Sequence, residues 1–290
     1  MGYKIFLNGE FVDNGAAKIS VFDHGLLYGD GVFEGIRSYN RKVFRLDEHL
    51  DRMFEGAAVI RLKMPYAKKE FRSKILETLK VNELDNAYIR AVVTRGPGDL
   101  GLDPRKCKEP TIFVIAHEIV LYPKEFYENG LPIIIAKTRR THPHSLDPRV
   151  KSLNYLNNIL GKIEAIDSGT HEALMLTVDG YVAECTGDNV FVIKEGELLT
   201  PPNEIGALSG ITQKAVIELA QKRGLEFAYK MMSPEDVVSA EECFLTGTAA
   251  EVIPVTKVDN KVVGNGVPGA VTKLLMQDFK ELVKREGVSY

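Results

Sequence analysis

The sequence predicts an α+β protein with two domains, and two observations carry that prediction. Helix-period and strand-like segments both occur throughout the 290 residues, but they do not alternate regularly as they would in a doubly wound sheet. A polar segment broken by Pro123 and Gly130, LYPKEFYENG, separates two halves of different pattern. We therefore expect an N-terminal domain over residues 1–119, a connector over 120–130 and a C-terminal domain over 131–290.

The first half predicts a hairpin, two helices and two strands. In YKIFLNGEFV, Asn8-Gly9 stands between two apolar stretches, which is a strong hairpin signal. RLDEHLDRMFEGAAVIRL carries apolar residues at helical spacing with Asp47 as the expected N-cap, and KKEFRSKILETLKVN repeats that pattern. AYIRAVVTRG and PTIFVIAHEI are rich in β-branched residues, which favours strands.

The second half predicts a strand in LPIIIAKT and then a helix that ends near residue 167. ALMLTVDGYVAECTGDNVFVIKEGELLTPP predicts short strands separated by turns at Asp179-Gly180 and Glu195-Gly196. ITQKAVIELAQKRG is helical in period, CFLTG and VIPVTKV are strand-like, and AVTKLLMQDFKELVKREG predicts a final amphipathic helix.

Composition excludes several classes of function. The net charge of −3 and the pI near 6.1 supply no basic field for nucleic acid. No apolar run reaches the roughly 18 residues that a membrane span needs, and MGYKIFLNGEFV lacks a secretion-signal pattern. Three widely spaced cysteines indicate neither a disulfide framework nor a metal site. We therefore expect a reduced, cytoplasmic protein that binds no nucleic acid, membrane or metal.

Two glycine-rich stretches match the dinucleotide-binding fingerprint without its context. Gly96–Gly101 is followed by LDPRKCKEP, where the fingerprint needs a helix. Gly264–Gly269 precedes a helix, but no second parallel strand follows it. Both stretches are therefore predicted to be turns.

Four other features together suggest a site. Lys151, in DPRVKSLNYLNN, precedes the predicted helix, and Glu184 lies on the predicted strand of GYVAECTGDNVF. The helix start at Ser209–Thr212 and the small-residue turn at Thr246–Ala249 could each hold an anion. Each feature alone is more often a solvated lysine, a strand carboxylate, a cap or a turn.

In their order and spacing, these segments resemble the branched-chain aminotransferases, which belong to the class IV, fold type IV family of pyridoxal-phosphate enzymes. The resemblance covers nearly the whole chain and implies a smaller N-terminal α/β domain and a larger C-terminal pseudo-barrel domain. It rests on FLNGEFV, SVFDHGLLYGDGVFEGIRSYN, RLDEHLDRM, AYIR, RVKSLNYLNN, DGYVAECTGDNVF, LSGIT and FLTGTAAEV.

The resemblance implies that pyridoxal 5′-phosphate is the cofactor and that Lys151 is the catalytic residue. Lys151 would form the internal aldimine and move the proton between substrate and cofactor carbons. Glu184 would lie against the pyridine nitrogen, and Tyr155 would hydrogen-bond the phenolic oxygen. The further cofactor-binding residues would be Arg52, Gly210, Ile211, Thr212, Gly247 and Thr248.

The resemblance also implies an activity and a substrate pocket. We expect amino-group transfer from L-leucine, L-isoleucine and L-valine to 2-oxoglutarate by a ping-pong mechanism. The Tyr88-Ile89-Arg90 pattern resembles the branched-chain enzymes, since D-amino-acid aminotransferases tend to carry arginine and histidine at the two outer positions. The substrate-binding residues would be Tyr28, Phe33, Gly35, Arg37, Tyr88, Arg90, Thr248 and Ala249.

Other readings stay open within and outside this family. A D-amino-acid aminotransferase or an aminodeoxychorismate lyase would also use Lys151 and Glu184, and a non-catalytic phosphate-ligand-binding protein would need neither. The RGPGDLGLDP loop is similar to a loop that reaches a neighbouring subunit's active site in this family, which implies a homodimer or a higher homo-oligomer.

Overall fold

The computed structural model describes residues 2–119 and 122–290, and over these ranges the protein has the predicted α+β architecture, with two β-sheets and eight α-helices. The chain divides into two compact units. Unit 1 comprises the residues up to Ile119 together with Val150–Asn154 and Val283–Tyr290, and unit 2 comprises the other described residues. Residues 120 and 121 of the predicted connector lie outside the described residues, and the predicted domain boundaries stay a prediction.

Unit 1 is built on a seven-stranded sheet in the order β16-β4-β3-β5-β6-β1-β2, in which every neighbouring pair is antiparallel. Its core contains Phe6, Ile36, Leu50, Phe71 and Ile89, all fully buried. The elements are β1 (Lys4–Leu7), β2 (Glu10–Asp13), α1 (His24–Tyr28), β3 (Gly31–Tyr39), β4 (Lys42–Val43), α2 (Leu46–Val59), α3 (Lys68–Val81), β5 (Ala87–Thr94), β6 (Thr111–His117) and, at the end of the chain, β16 (Val288–Ser289).

Local sequence explains the start of this sheet and corrects one helix boundary. Asn8 and Gly9 both have positive φ, 48° and 103°, so β1 and β2 form the predicted two-residue hairpin. The expected cap Asp47 is wrong, because α2 begins at Leu46 and its N-cap is Arg45, with a φ of 47°. Asp47 lies inside the first turn instead, where a carboxylate still favours the positive end of the helix dipole.

Unit 2 is built on a nine-stranded mixed sheet in the order β12-β11-β10-β13-β14-β7-β8-β9, with β15 paired to β14. The predicted turns at 179–180 and 195–196 are present, with Gly180 and Gly196 at positive φ. The elements are α4 (Lys124–Asn129), β7 (Leu131–Ile135), α5 (Leu156–Asp167), β8 (Ala173–Leu176), β9 (Val182–Cys185), β10 (Asn189–Lys194), β11 (Glu197–Thr200), α6 (Ile211–Lys222), β12 (Phe227–Tyr229), α7 (Pro234–Val238), β13 (Glu242–Gly247), β14 (Glu251–Val258), β15 (Lys261–Val262) and α8 (Ala270–Arg285), whose last residues belong to unit 1.

Both glycine-rich stretches adopt turn and loop structure, as predicted. Asp23 bridges to Pro97 within the first stretch, and Gly264 and Gly266 of the second have positive φ. In the part of the chain that the structure describes, no helix has the length and apolar character to cross a bilayer.

Candidate active site

Lys151 lies on a short segment that pairs with the first part of β3, beyond the two residues of β3 that pair with β4. The Phe33 amide donates to the Lys151 carbonyl at 3.0 Å, and the Leu153 amide donates to the Gly31 carbonyl at 3.0 Å. Val150 is buried in the unit 1 core. Since α5 begins only at Leu156, the backbone of Lys151 is positioned by β3 and not by the start of the helix.

The Phe33 ring lies beside two cationic side chains. Lys151 Nζ is 4.7 Å from the ring centroid, and Arg90 Cζ is 4.5 Å from it. Arg90 also donates from Nη2 to the Tyr88 hydroxyl at 3.2 Å. A cation near an aromatic face is attracted by the ring quadrupole, so Phe33 helps to place both cations. The structure therefore brings together four residues that the sequence assigned to one site.

Two further predicted residues extend this face of the sheet. Gly35 pairs with Arg90 and Arg37 pairs with Tyr88, so all four positions lie on the same face of the sheet as Phe33. A Cβ at Gly35 would collide with the Tyr88 hydroxyl, which explains the glycine. Arg37 lies with Cζ 5.0 Å from the Tyr39 ring centroid.

Tyr28 lies at the end of α1 and not on this strand pair. It is partly exposed, and its hydroxyl donates to the Leu100 carbonyl at 2.6 Å. That bond ties Tyr28 to the RGPGDLGLDP loop.

A buried cluster of charges in unit 1 surrounds the predicted phosphate residue Arg52. Glu34, which is fully buried on β3, accepts from Arg52 Nε at 2.7 Å and from Arg52 Nη2 at 2.8 Å. His49 Nδ1 is 2.7 Å from the same carboxylate. Burial raises the pKa of Glu34, but the charges and hydrogen bonds of Arg52 and His49 outweigh it and lower that pKa to about 2.

The pKa of His49 lies below its ordinary value of 6.5. Burial lowers it most, Glu34 opposes that shift, and the positive charges of Arg52 and Lys151 lower it further. His49 is therefore a neutral ring that donates Nδ1–H to the ionised carboxylate.

In unit 2, the predicted Glu184 is buried on β9 and forms an ion pair with Arg140. Arg140 Nη2 is 2.5 Å from Glu184 Oε1, and Arg140 also donates to the Gly206 carbonyl at 3.0 Å and to Asn158 Oδ1 at 3.0 Å. The other oxygen, Glu184 Oε2, accepts from the Leu208 amide at 2.9 Å. The carboxylate is thus oriented by contacts on both oxygens.

Asn189, at the start of β10, connects Glu184 to the two predicted anion sites of unit 2. Its Nδ2 donates to the Leu208 carbonyl at 2.8 Å and lies 3.4 Å from Glu184 Oε2. A Cβ at Gly210, the N-cap of α6, would collide with Asn189 Oδ1. Asn189 also pairs with Thr246 across the β10–β13 ladder. The glutamate, the helix start and the turn after β13 therefore form one cluster.

The remaining predicted residues of unit 2 lie at the ends of elements. Ile211 and Thr212 are buried at the first positions of α6. Gly247 ends β13, and a Cβ there would collide with Asp188 Oδ1. Thr248 and Ala249, in the turn that follows, are half-buried. Tyr155, the N-cap of α5, is also half-buried.

An anionic group fits the unit 2 cluster. Thr246 Oγ1 is buried and has no hydrogen-bond partner, although buried hydroxyls normally have one. The first backbone N–H groups of a helix have no partner within that helix, and those of Ile211 and Thr212 are of this kind. Unpaired donors at a helix N-terminus, with glycines that permit close approach, suit a phosphate. Among the described residues, no group of three or more metal-ligating side chains is placed to hold a metal ion.

Four residues of these clusters were not predicted from the sequence: Glu34, His49, Arg140 and Asn189. Glu34 stands in the apolar run GVFEGIRSY, where a charged residue with buried neighbours signals a buried partner. His49 and Arg52 are three residues apart on α2, so they share one face of the helix. Arg140 in KTRRTHP looks like a surface cation, and Asn189 looks like an ordinary turn residue, so neither had a usable signal.

Comparison with known proteins identifies relatives along nearly the full length of the chain. Residues 31–258 match the model of the family described as Amino-transferase class IV. A relative from Methanocaldococcus jannaschii, provisionally named a branched-chain-amino-acid aminotransferase, is 50% identical over 285 residues, which cover 98% of each chain. The crystal structure of the Escherichia coli branched-chain amino acid aminotransferase is 35% identical, with a TM-score of 0.95, and the match covers 98% of this chain and 95% of that one.

The T.th. branched-chain amino acid aminotransferase is also similar, in two complexes. With N-(5′-phosphopyridoxyl)-L-glutamate the TM-score is 0.92 at 34% identity, and the match covers 98% of this chain and 94% of that one. With 4-methylvaleric acid the TM-score is 0.92 at 35% identity, over 98% and 95% of the two chains. These likenesses confirm the predicted fold type and the predicted family. The chain belongs to the class IV aminotransferases.

Proposed function

We propose that this protein transfers the amino group of branched-chain L-amino acids to 2-oxoglutarate, with pyridoxal 5′-phosphate as cofactor. The observation that carries the proposal is the placement of Lys151 and Arg90 beside the Phe33 ring, at 4.7 and 4.5 Å. An amine and a guanidinium beside one apolar ring suit a substrate with a reacting nitrogen, a carboxylate and an aliphatic side chain.

The residues present fit the proposed cofactor. In unit 2, the first amides of α6, Thr246 Oγ1 and Thr248 would hold its phosphate, and Tyr155 would donate to its phenolic oxygen. In unit 1, Arg52 would help to bind the phosphate, and Lys151 would be the residue linked covalently to the cofactor. When bound, pyridoxal 5′-phosphate supplies an electron-withdrawing ring that stabilises negative charge at the substrate α-carbon.

Lys151 acts as the general base and acid of the proposed reaction. Its amine would take the proton from the substrate α-carbon and deliver it to the cofactor carbon on the other side of the shared nitrogen, so that hydrolysis could then release the 2-oxo acid and leave the amino group on the cofactor. The backbone bonds to β3 fix where that amine starts, and the Phe33 ring excludes water on one side of it.

Glu184 would stabilise a proton at the pyridine nitrogen of the bound cofactor. A carboxylate stabilises that proton only while it is itself ionised and correctly aimed. Arg140 and the Leu208 amide aim the carboxylate, through bonds of 2.5 and 2.9 Å to its two oxygens.

The proposed substrates agree with what solved relatives bind. The T.th. enzyme binds N-(5′-phosphopyridoxyl)-L-glutamate, which joins a cofactor-like ring to the amino acid that 2-oxoglutarate would become. The same enzyme binds 4-methylvaleric acid, a branched aliphatic carboxylate. Both ligands support a pocket that accepts an apolar side chain and a dicarboxylate in turn, as a ping-pong mechanism requires.

A coupled transamination panel tests the proposed activity. We expect turnover of L-leucine, L-isoleucine and L-valine with 2-oxoglutarate as acceptor. Turnover of D-alanine in preference to these substrates would identify a D-amino-acid aminotransferase instead. Release of pyruvate from aminodeoxychorismate would identify a lyase, and either result would contradict the proposal.

Borohydride reduction of the purified holoenzyme tests the role of Lys151. We expect one cofactor to become attached to the peptide that contains Lys151, detected by mass spectrometry, and Lys151→Ala to lose at least about a thousandfold in turnover. Attachment to another lysine would contradict the role of Lys151. A protein that binds no pyridoxal 5′-phosphate would contradict the whole proposed function.

We further propose a homodimer or higher homo-oligomer, as the resemblance implies. Helix α5 supports this with a stripe of apolar side chains that are 44% to 67% exposed: Leu156, Ile159, Leu160, Ile163 and Ile166. An amphipathic helix normally packs such a stripe against another apolar surface. A second exposed apolar group lies on α1, on the residues just before it and on the loop that Tyr28 contacts: Val21, Phe22, Leu26, Leu100 and Leu102.

A further inference from the structure

The buried carboxylate of Glu34 holds the guanidinium of Arg52 along one edge. The two bonds, 2.7 Å from Nε and 2.8 Å from Nη2, leave the guanidinium plane no freedom to rotate about the side-chain axis. Only about a tenth of the Arg52 side chain is exposed, and Glu34 is fully buried. The direction of the other guanidinium donors is therefore set by Glu34.

The position of Glu34 on β3 suits this function. Its neighbour Phe33 faces the side of the sheet that carries Arg90, and alternation along the strand turns Glu34 toward α2. There the helix presents His49 and Arg52 on one face, three residues apart. One carboxylate thus receives two side chains from the same helix.

We propose that Glu34 is a positioning residue, which presents Arg52 to the phosphate of pyridoxal 5′-phosphate, and that His49 fixes Glu34 in turn. The inference rests on the proposed function, because it assumes that Arg52 binds that phosphate. It assigns roles to two residues that do not themselves touch the ligand.

His49 has the properties that this role needs. It is almost fully buried, and its Nδ1 lies 2.7 Å from Glu34. Burial and the nearby cations keep its pKa below the ordinary value, so it adds a hydrogen bond without adding a third positive charge. The cluster of Glu34, His49 and Arg52 is therefore close to neutral, and its cation points in a fixed direction.

Charge and orientation predict opposite effects when Glu34 is replaced. If Glu34 only cancelled the charge of Arg52, its removal would raise the local positive potential and tighten phosphate binding. If Glu34 positions Arg52, its removal frees the guanidinium to turn and weakens phosphate binding. The sign of the change separates the two cases.

The experiment compares pyridoxal 5′-phosphate with pyridoxal, which lacks the phosphate. Apoenzyme of the full chain is prepared, and the affinity for each ligand is measured from the change in absorbance on binding. We expect Glu34→Gln to weaken binding of pyridoxal 5′-phosphate about tenfold while the affinity for pyridoxal stays nearly constant. An unchanged or increased preference for the phosphorylated ligand would overturn the inference.

Two outcomes separate this inference from the proposed function. Wild-type protein that does not prefer pyridoxal 5′-phosphate to pyridoxal would contradict the proposed cofactor. Wild-type protein with that preference, alongside a Glu34→Gln variant that keeps it, would contradict only the role of Glu34. If Glu34→Gln does not fold, Glu34→Asp keeps the charge but shortens the side chain, and it should lose preference in the same direction. An unchanged preference in Glu34→Asp would equally overturn the inference.

A matched control exists in the same unit. Asp30 pairs with Arg95 through the same two donors, Nε and Nη2, both at 2.9 Å. Asp30→Asn breaks an equivalent pair, and we expect it to lower thermal stability without changing the preference for the phosphorylated ligand. A loss of preference in this control as large as that in Glu34→Gln would mean that any weakening of unit 1 has this effect.

A double-mutant cycle tests whether Glu34 acts through Arg52. Arg52→Gln alone should reduce the preference for the phosphorylated ligand. Adding Glu34→Gln to it should reduce that preference no further, because the residue being positioned is already gone. A further loss in the double variant would show that Glu34 acts by another route.

Discussion

At the scale of residues, the buried carboxylates assigned to the site are each paired with an arginine. Glu34 is paired with Arg52 and Glu184 with Arg140, in different units. A buried ionised carboxylate is costly unless it is paired and hydrogen-bonded, and both are. The family pattern made Glu184 a candidate site residue, but nothing in the sequence indicated Arg140, because its partners lie far away along the chain.

Replacing Arg140 by lysine tests the pairing of Glu184. Lysine keeps the charge but lacks the planar fork that reaches the Gly206 carbonyl, Asn158 and Glu184 together. We expect Arg140→Lys to fold and to lose about ten- to a hundredfold in kcat/KM for L-leucine.

The control for this change is Arg223→Lys, at an exposed bidentate pair with Asp278. We expect that variant to keep the wild-type kcat/KM. Full activity in Arg140→Lys would show that Glu184 does not need its arginine.

At the scale of elements, local patterns predicted most helices and strands correctly. The Asn8-Gly9 hairpin and α6 follow from turn chemistry and hydrophobic periodicity alone. Periodicity could not show that residues 151–153 pair with β3, because that pairing joins segments more than a hundred residues apart. It also could not choose Arg45 over Asp47 as the N-cap of α2, since left-handed backbone at an arginine has no sequence signature.

The apolar stripe on α5 predicts self-association that one substitution should weaken. Ile163 lies in the middle of the stripe and is 46% exposed. We expect Ile163→Asp to shift the protein toward monomer, measured by light scattering after gel filtration, because a buried unpaired carboxylate disfavours an apolar interface.

Val262→Asp provides the control, since Val262 is exposed on β15, outside the stripe. We expect this variant to keep the wild-type mass. An unchanged mass in Ile163→Asp would mean that the stripe does not mediate assembly.

At the scale of the whole molecule, the unit 1 charge cluster predicts how stability depends on pH. The pKa of His49 is lowered in the folded protein, so below pH 6.5 the unfolded chain takes up a proton that the folded chain does not. The pKa of Glu34 falls from 4.5 to about 2, so its contribution is present above pH 4.5 and is lost as the pH falls toward 2. Both shifts make the free energy of unfolding decrease with acidification.

Urea unfolding between pH 7.5 and pH 4 measures this dependence. We expect the free energy of unfolding to begin to fall near pH 6.5 and to fall more steeply below pH 4.5, by about 1.4 kcal/mol per pH unit for each proton taken up. His49→Asn should flatten the upper part of the curve, whereas the exposed His117→Asn should leave it unchanged. A curve that is flat from pH 7.5 to 5 in the wild type would contradict the shift at His49.

The composition of unit 1 has a consequence for how the chain can be divided. Unit 1 is discontinuous in sequence, because two later stretches belong to it. Residues 150–154 carry Lys151, and residues 283–290 carry the terminal strand β16. A fragment that stops at Ile119 would contain most strands of the unit 1 sheet, but it would lack Lys151 and the strand β16 that pairs with β4. No single cut therefore yields two self-sufficient halves, and recombination between relatives should preserve function only when residues 150–154 and 283–290 are inherited together with the first 119.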